Sequence, residues 1–124
     1  MAEPIPATHL LRAALREIER ELCRVQWNHF QEEYESPFAN TGNRFECPAF
    51  AVHAYNWNES ENQEWNFRWR DVRVSWYKYL GRGTTVNRLL TESEIGELLD
   101  DCLAALVELE QEYDRQELEQ ESRE

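Results

Sequence analysis

Three residue patterns in this 124-residue chain are of types that do chemistry: Cys/His spacings, an arginine-aromatic stretch and a run of carboxylates. Cys23 and His29, like Cys47 and His53, are six positions apart. On a helix such positions point about 240° apart, and on a strand they lie roughly 20 Å apart. Neither pair makes the compact grip of C-x2-C, so the expectation is buried thiols and structural histidines, with no metal. His29 with Glu32 and Glu33 has the spacing used in di-iron bundles, but such sites need matching carboxylates from other helices. The apolar stripe of the last helix offers none. Ser75 falls within a strand without a base and orienter in pattern, and no G-x-S-x-G, P-loop or dinucleotide fingerprint occurs. Gly81-Arg82-Gly83 is too short to cradle a phosphate by itself. No catalytic residue and no cofactor is assigned, and the chain is expected not to be an enzyme.

The arginine-aromatic stretch runs from Trp65 to Arg88 and holds three of the five Trp. Arg68, Arg70, Arg73, Lys78 and Arg82 alternate there with Trp and Tyr. That composition suits a single-strand nucleic-acid or nucleotide platform. It equally suits a protein-protein hot spot, or internal pairing with the acids of neighbouring helices. Charge is strongly segregated. Residues 1–64 hold 11 acids and 5 Arg, residues 65–91 one acid against six cations, and residues 92–124 13 acids and 2 Arg. The overall −12 disfavours general binding to DNA or anionic membrane. The acidic segment has the makings of a surface that imitates a phosphate backbone. Glu97, Asp100, Asp101 and Glu108 on its polar side, with Tyr77 and Tyr79 on the sheet, are the candidate partner-binding residues.

The elements that must hold these residues follow from periodicity. Thr8 caps a helix in which Leu11, Leu15, Ile18, Leu22, Val25 and His29 recur at helical spacing. Ser36-Pro37 ends it, and Asn40-Thr41-Gly42-Asn43 is turn chemistry. Phe45 and Cys47 suit a short edge strand. Ala49–Trp57 alternates as a strand, with Phe50, Val52 and Ala54 on one face and His53, Tyr55 and Trp57 on the other. Trp57 and Trp65 are expected to meet across a hairpin mouth. In the next strand Trp65, Phe67 and Trp69 are odd-numbered, whereas Val72, Val74 and Trp76 are even-numbered. A regular strand cannot keep both sets on one face, which predicts a bulge or break near Arg70-Asp71. Thr84–Arg88 is a third short strand or a loop. Thr91 and Glu94 form a capping box for a helix whose stripe is Ile95, Leu98, Leu99, Cys102, Leu103, Leu106 and Val107.

The expectation is one α+β domain over residues 1–124, with loose ends at about 1–7 and 114–124. Two amphipathic helices, running antiparallel, pack on one face of a small antiparallel sheet in the order α-β-β-(β)-α. Three scattered Cys and no apolar leader or span suit a reducing, cytoplasmic setting.

The run Val74-Ser75-Trp76-Tyr77-Lys78-Tyr79-Leu80-Gly81-Arg82-Gly83, followed by Thr84–Arg88, resembles small phage- or prophage-encoded proteins of unassigned role. As a group these resemble host-defence inhibitors, including anti-CRISPR proteins and DNA mimics. The resemblance implies an inhibitor that acts in the host cytoplasm on a protein with a basic nucleic-acid-binding surface, and it carries over no functional residue. Direct nucleic-acid binding by the arginine ribbon, and a structural homodimer through the Tyr77–Tyr79 face, are the alternatives.

Overall fold

A computed structural model describes residues 5–30, 44–55, 64–77, 80–81 and 83–123. Among them are two helices and six strands, an α+β fold with an antiparallel sheet. The strands are β1 (Ile5–Pro6), β2 (Arg44–Glu46), β3 (Ala51–Tyr55), β4 (Glu64–Trp69), β5 (Val72–Tyr77) and β6 (Thr85–Val86). Their spatial order is β1-β6-β5-β4-β3-β2. The helices are α1 (His9–Phe30) and α2 (Glu92–Arg123).

The sheet has more strands than expected because short segments at both edges find partners. Ile5-Pro6 pairs with Thr85-Val86, and Ala7 N–H donates to the Thr84 carbonyl at 2.9 Å. The stretch expected to be a loose lead is therefore an edge strand in part, where proline is tolerated. Phe45 lies in β2 at the other edge, opposite Val52. The parity change in the aromatic stretch also has a different cause from a bulge. Trp69 pairs directly with Val72, so Arg70-Asp71 is the two-residue turn of a hairpin. Such a turn puts 69 and 72 on the same face, as a bulge would have. Arg70 has φ 52°, a left-handed conformation that costs a non-glycine residue roughly 1–2 kcal/mol.

One apolar cluster joins the elements. It contains Phe50, Val52, Trp65, Phe67, Trp69, Val72, Val74 and Trp76 from alternate strand positions. Leu11, Leu15, Ile18 and Leu22 of α1 and Ile95, Leu98, Cys102 and Leu106 of α2 complete it. Trp65 lies opposite Ala54 on one side and Trp76 on the other. The Trp65 and Trp76 rings stack at 6.5 Å and 11°. Its expected partner, Trp57, lies outside the described residues, as do Ser36-Pro37 and the Asn40–Asn43 turn. Full burial of a Trp or Phe side chain is worth about 4–6 kcal/mol at most by area, so this aromatic layer dominates the core.

Both helix caps form as their residues dictate. Thr8 Oγ1 accepts from Leu11 N–H at 3.2 Å, and Thr91 and Glu94 exchange reciprocal bonds of 3.1 Å. The helices differ from expectation in two respects. Arg24 reaches Glu110 and Gln26 reaches Tyr113, contacts that advance together along both chains. The helices thus run side by side in the same direction. The cause is topological: α1 follows the edge strand β1 and α2 follows β6 beside it, so both start from the same lateral side of the sheet. In addition, α2 continues to Arg123 where fraying was expected. Its last turns hold no Gly or Pro and are rich in Glu, Gln and Arg, all strong helix formers. Glu112 is paired there with Arg115 and accepts from Gln116.

Candidate functional site

The basic ribbon divides into cations used internally and cations on the open side of the sheet. The Arg70 guanidinium lies 4.3 Å from the Trp69 ring centroid, a cation-π distance. It donates to Glu97 Oε2 at 3.1 Å and to Asp101 Oδ2 at 3.0 Å. The buried Trp69 indole N–H donates to the same Asp101 oxygen at 3.0 Å. Arg88 grips Asp71 through two bonds of 2.8 and 3.3 Å and reaches Glu94 at 2.7 Å. Hydrogen bonding to Arg88 holds the Asp71 and Glu94 carboxyls below their ordinary range, and both raise the Arg88 guanidinium. Asn87 adds a backbone brace, accepting from Arg73 N–H and donating to the Asp71 carbonyl, both at 2.8 Å. The β4–β5 turn is thereby tied to the start of α2.

This pairing corrects the candidate acidic site. Glu97 and Asp101, two of its four carboxylates, are paired by Arg70. Farther along, Glu110 is held by Arg24. Asp100 and Glu108, the other two candidates, are exposed and have no cation partner among the described residues. Glu92, Asp114 and Glu119 share that condition. Glu108 and Asp101 also line a groove of about 380 Å3 with the apolar Pro48, Ala104, Ala105 and Leu109. Tyr77 is 62% exposed. Tyr79, Lys78 and Arg82 lie outside the described residues.

The open side of the sheet holds a different arrangement. A concavity of about 250 Å3 is lined by Ala51, His53, Asn66, Phe67, Arg68 and Arg73. Ser75 Oγ–H donates to Asn66 Oδ1 at 2.8 Å, which sets the amide orientation. Asn66 Nδ2 and His53 Nε2 are buried and have no hydrogen-bond partner among the described residues. Arg73 Nη1 donates to the carbonyls of Arg70 and Val72 at 2.9 and 3.2 Å, and Arg68 Nη2 stands 3.7 Å from Glu46 Oε1. Sequence reasoning missed this grouping. It placed His53 on the face opposite Val52, but only the register of β3 against β4 brings Asn66 beside it.

The remaining reactive groups are dispersed. Cys102 is buried, and burial raises its thiol far above the ordinary range. Cys47 Sγ–H donates to the Phe50 carbonyl at 3.5 Å, and Cys23 is half-buried on α1. Burial pushes the Glu19 carboxyl up to about 7, against the opposing pull of Arg16. Among the described residues no three His, Cys, Asp or Glu side chains converge as a metal site. Glu32 and Glu33, and the side chain of His29, lie outside them. No described helix is long and apolar enough to cross a membrane. No family model matches this chain, and no curated protein or solved structure matches it.

Proposed function

We propose that this chain is a non-enzymatic interaction protein, an acidic inhibitor that docks the outer side of α2 against the basic surface of a nucleic-acid-handling protein. The observation that carries this reading is the exposure of Asp100 and Glu108 without a cation partner among the described residues, with Glu108 also lining an apolar groove. A partner segment that combines Arg or Lys with an apolar side chain complements that groove, because it buries apolar area while its charge meets the carboxylates.

Magnitudes favour a local dock over imitation of a whole duplex. Glu92 to Glu119 spans roughly 40 Å of helix at 1.5 Å per residue. The unpaired carboxylates Glu92, Asp100, Glu108, Asp114 and Glu119 therefore supply roughly one charge per 8 Å. Duplex DNA carries one per about 1.7 Å. DNA mimicry in the strict sense is the weaker form of the proposal.

Affinity capture from the cell of origin, followed by titration of the captured protein, tests the reading. Asp100→Lys with Glu108→Lys is expected to weaken binding at least tenfold and leave the fold intact. Unchanged affinity, or captured proteins without a basic surface, would remove it. The exposure of Tyr77 supports self-association as a second reading, which a monomer mass in light scattering would exclude.

A further inference from the structure

Arg68 and Arg73 are direct cross-strand partners in the β4–β5 register. Like charges in that relation repel unless an anion compensates. Glu46 forms an exposed ion pair with Arg68 at 3.7 Å, too long for a hydrogen bond, and such a pair offsets the repulsion only weakly. Main-chain carbonyls orient the Arg73 guanidinium but carry no net charge. Next to this pair, His53 and Asn66 are cross-strand partners between β3 and β4. Their buried Nε2 and Nδ2 atoms are without partners among the described residues. A buried polar group left unpaired costs about 1–3 kcal/mol, and here two occur on paired residues that line one concavity. In a chain with 25 acids, this is a place where cations and unused hydrogen-bonding groups are collected together.

We propose that this concavity binds a small phosphate-bearing ligand. The guanidinium groups of Arg68 and Arg73 compensate the phosphate charge, and Asn66 Nδ2 and His53 Nε2 donate to its oxygens. The chemistry selects phosphate over carboxylate. Two cations and two further donors match a dianion with three free oxygens, whereas a carboxylate brings one charge and two oxygens. It also separates the site from a single-strand nucleic-acid platform, which needs aromatic faces for base stacking. The ring of Phe67 stacks on Phe50 in the core instead. A volume of about 250 Å3 accommodates a phosphate and a small attached group. This site is independent of the α2 surface.

The test titrates the full chain with inorganic phosphate, and separately with acetate, at low salt. The readout is the Asn66 side-chain amide and the His53 backbone amide in 1H–15N spectra. Saturable shifts at both residues are expected with phosphate. Affinity should fall at least tenfold in Arg73→Gln and in Arg68→Gln, which are exposed positions that preserve the sheet, and also in Asn66→Ala. Acetate should bind at least tenfold more weakly than phosphate. Absent or non-saturating shifts, parental affinity in either arginine variant, or acetate as tight as phosphate would each overturn the assignment.

Discussion

The first three turns of α2 and the turns that follow both carry many carboxylates, yet the fold treats them differently. Between Glu94 and Asp101, three of the four acids are met by Arg70 or Arg88 from the strand side. Beyond Asp101, Glu110 is met by α1 and Glu112 by its own helix, while Glu108, Asp114 and Glu119 have no cation among the described residues. The difference comes from where the β4–β5 turn projects. Arg70 sits at its first loop position, with the Trp69 ring beneath it, and from there reaches only the beginning of the helix. Acidity counted along a sequence therefore overstates the charge a surface can offer. The available part is what remains after the molecule's own cations have been placed.

Removing the platform under Arg70 should break this contrast most severely. Trp69 is buried, holds the cation-π contact and donates to Asp101. Trp69→Ala is expected to cost about 3–5 kcal/mol in denaturant unfolding. Trp69→Phe, which keeps most of the volume but loses the indole N–H, should cost about 1–2 kcal/mol. If Trp69→Phe were neutral, the indole bond would not be positioning Asp101.

Charge reversal in the two sets gives the next largest effect. Asp101→Lys sets a cation beside Arg70 and leaves the Trp69 indole without its acceptor, at an expected cost of about 1–3 kcal/mol. Asp100→Lys, one residue away on the exposed side, should remain within about 0.5 kcal/mol of the parent. Equal destabilisation by both would show that the pairing around Arg70 is energetically idle, as many exposed ion pairs are.

The same distinction explains what the sequence revealed. The capping box, the facing of Phe50, Val52, Val74 and Trp76, and the α2 stripe apart from Val107, which is exposed, were legible because each depends on local spacing and burial. The parity change at Arg70-Asp71 was visible too, but its cause was not. A two-residue hairpin and a bulge shift parity alike, and Arg-Asp lacks the Asn-Gly or Asp-Gly signature of such turns. The parallel run of the helices was hidden because it depends on β1 meeting β6 some 80 positions later in the chain. The pairing of Arg70 with Glu97 and Asp101, and the company of His53 with Asn66, were hidden for the same reason. Both are products of register and docking rather than of any short pattern.

A smaller effect extends the contrast to α1. Glu21 there is held by Arg24, whereas Glu19 is half-buried and burial lifts its carboxyl from an ordinary 4.5 to about 7. Between those values the folded chain keeps a proton that the unfolded chain has released. Folding stability must therefore fall as pH rises through that window, and the full penalty persists above it. Glu19→Gln removes the ionisation. The variant should match the parent near pH 4 and exceed it by on the order of 1 kcal/mol at pH 8, with the gap opening between pH 5 and 7. Urea midpoints at pH 4, 6 and 8 give the comparison directly. A difference that does not change with pH would mean that water reaches the Glu19 carboxylate, placing it with Asp100 and Glu108 among the solvated acids.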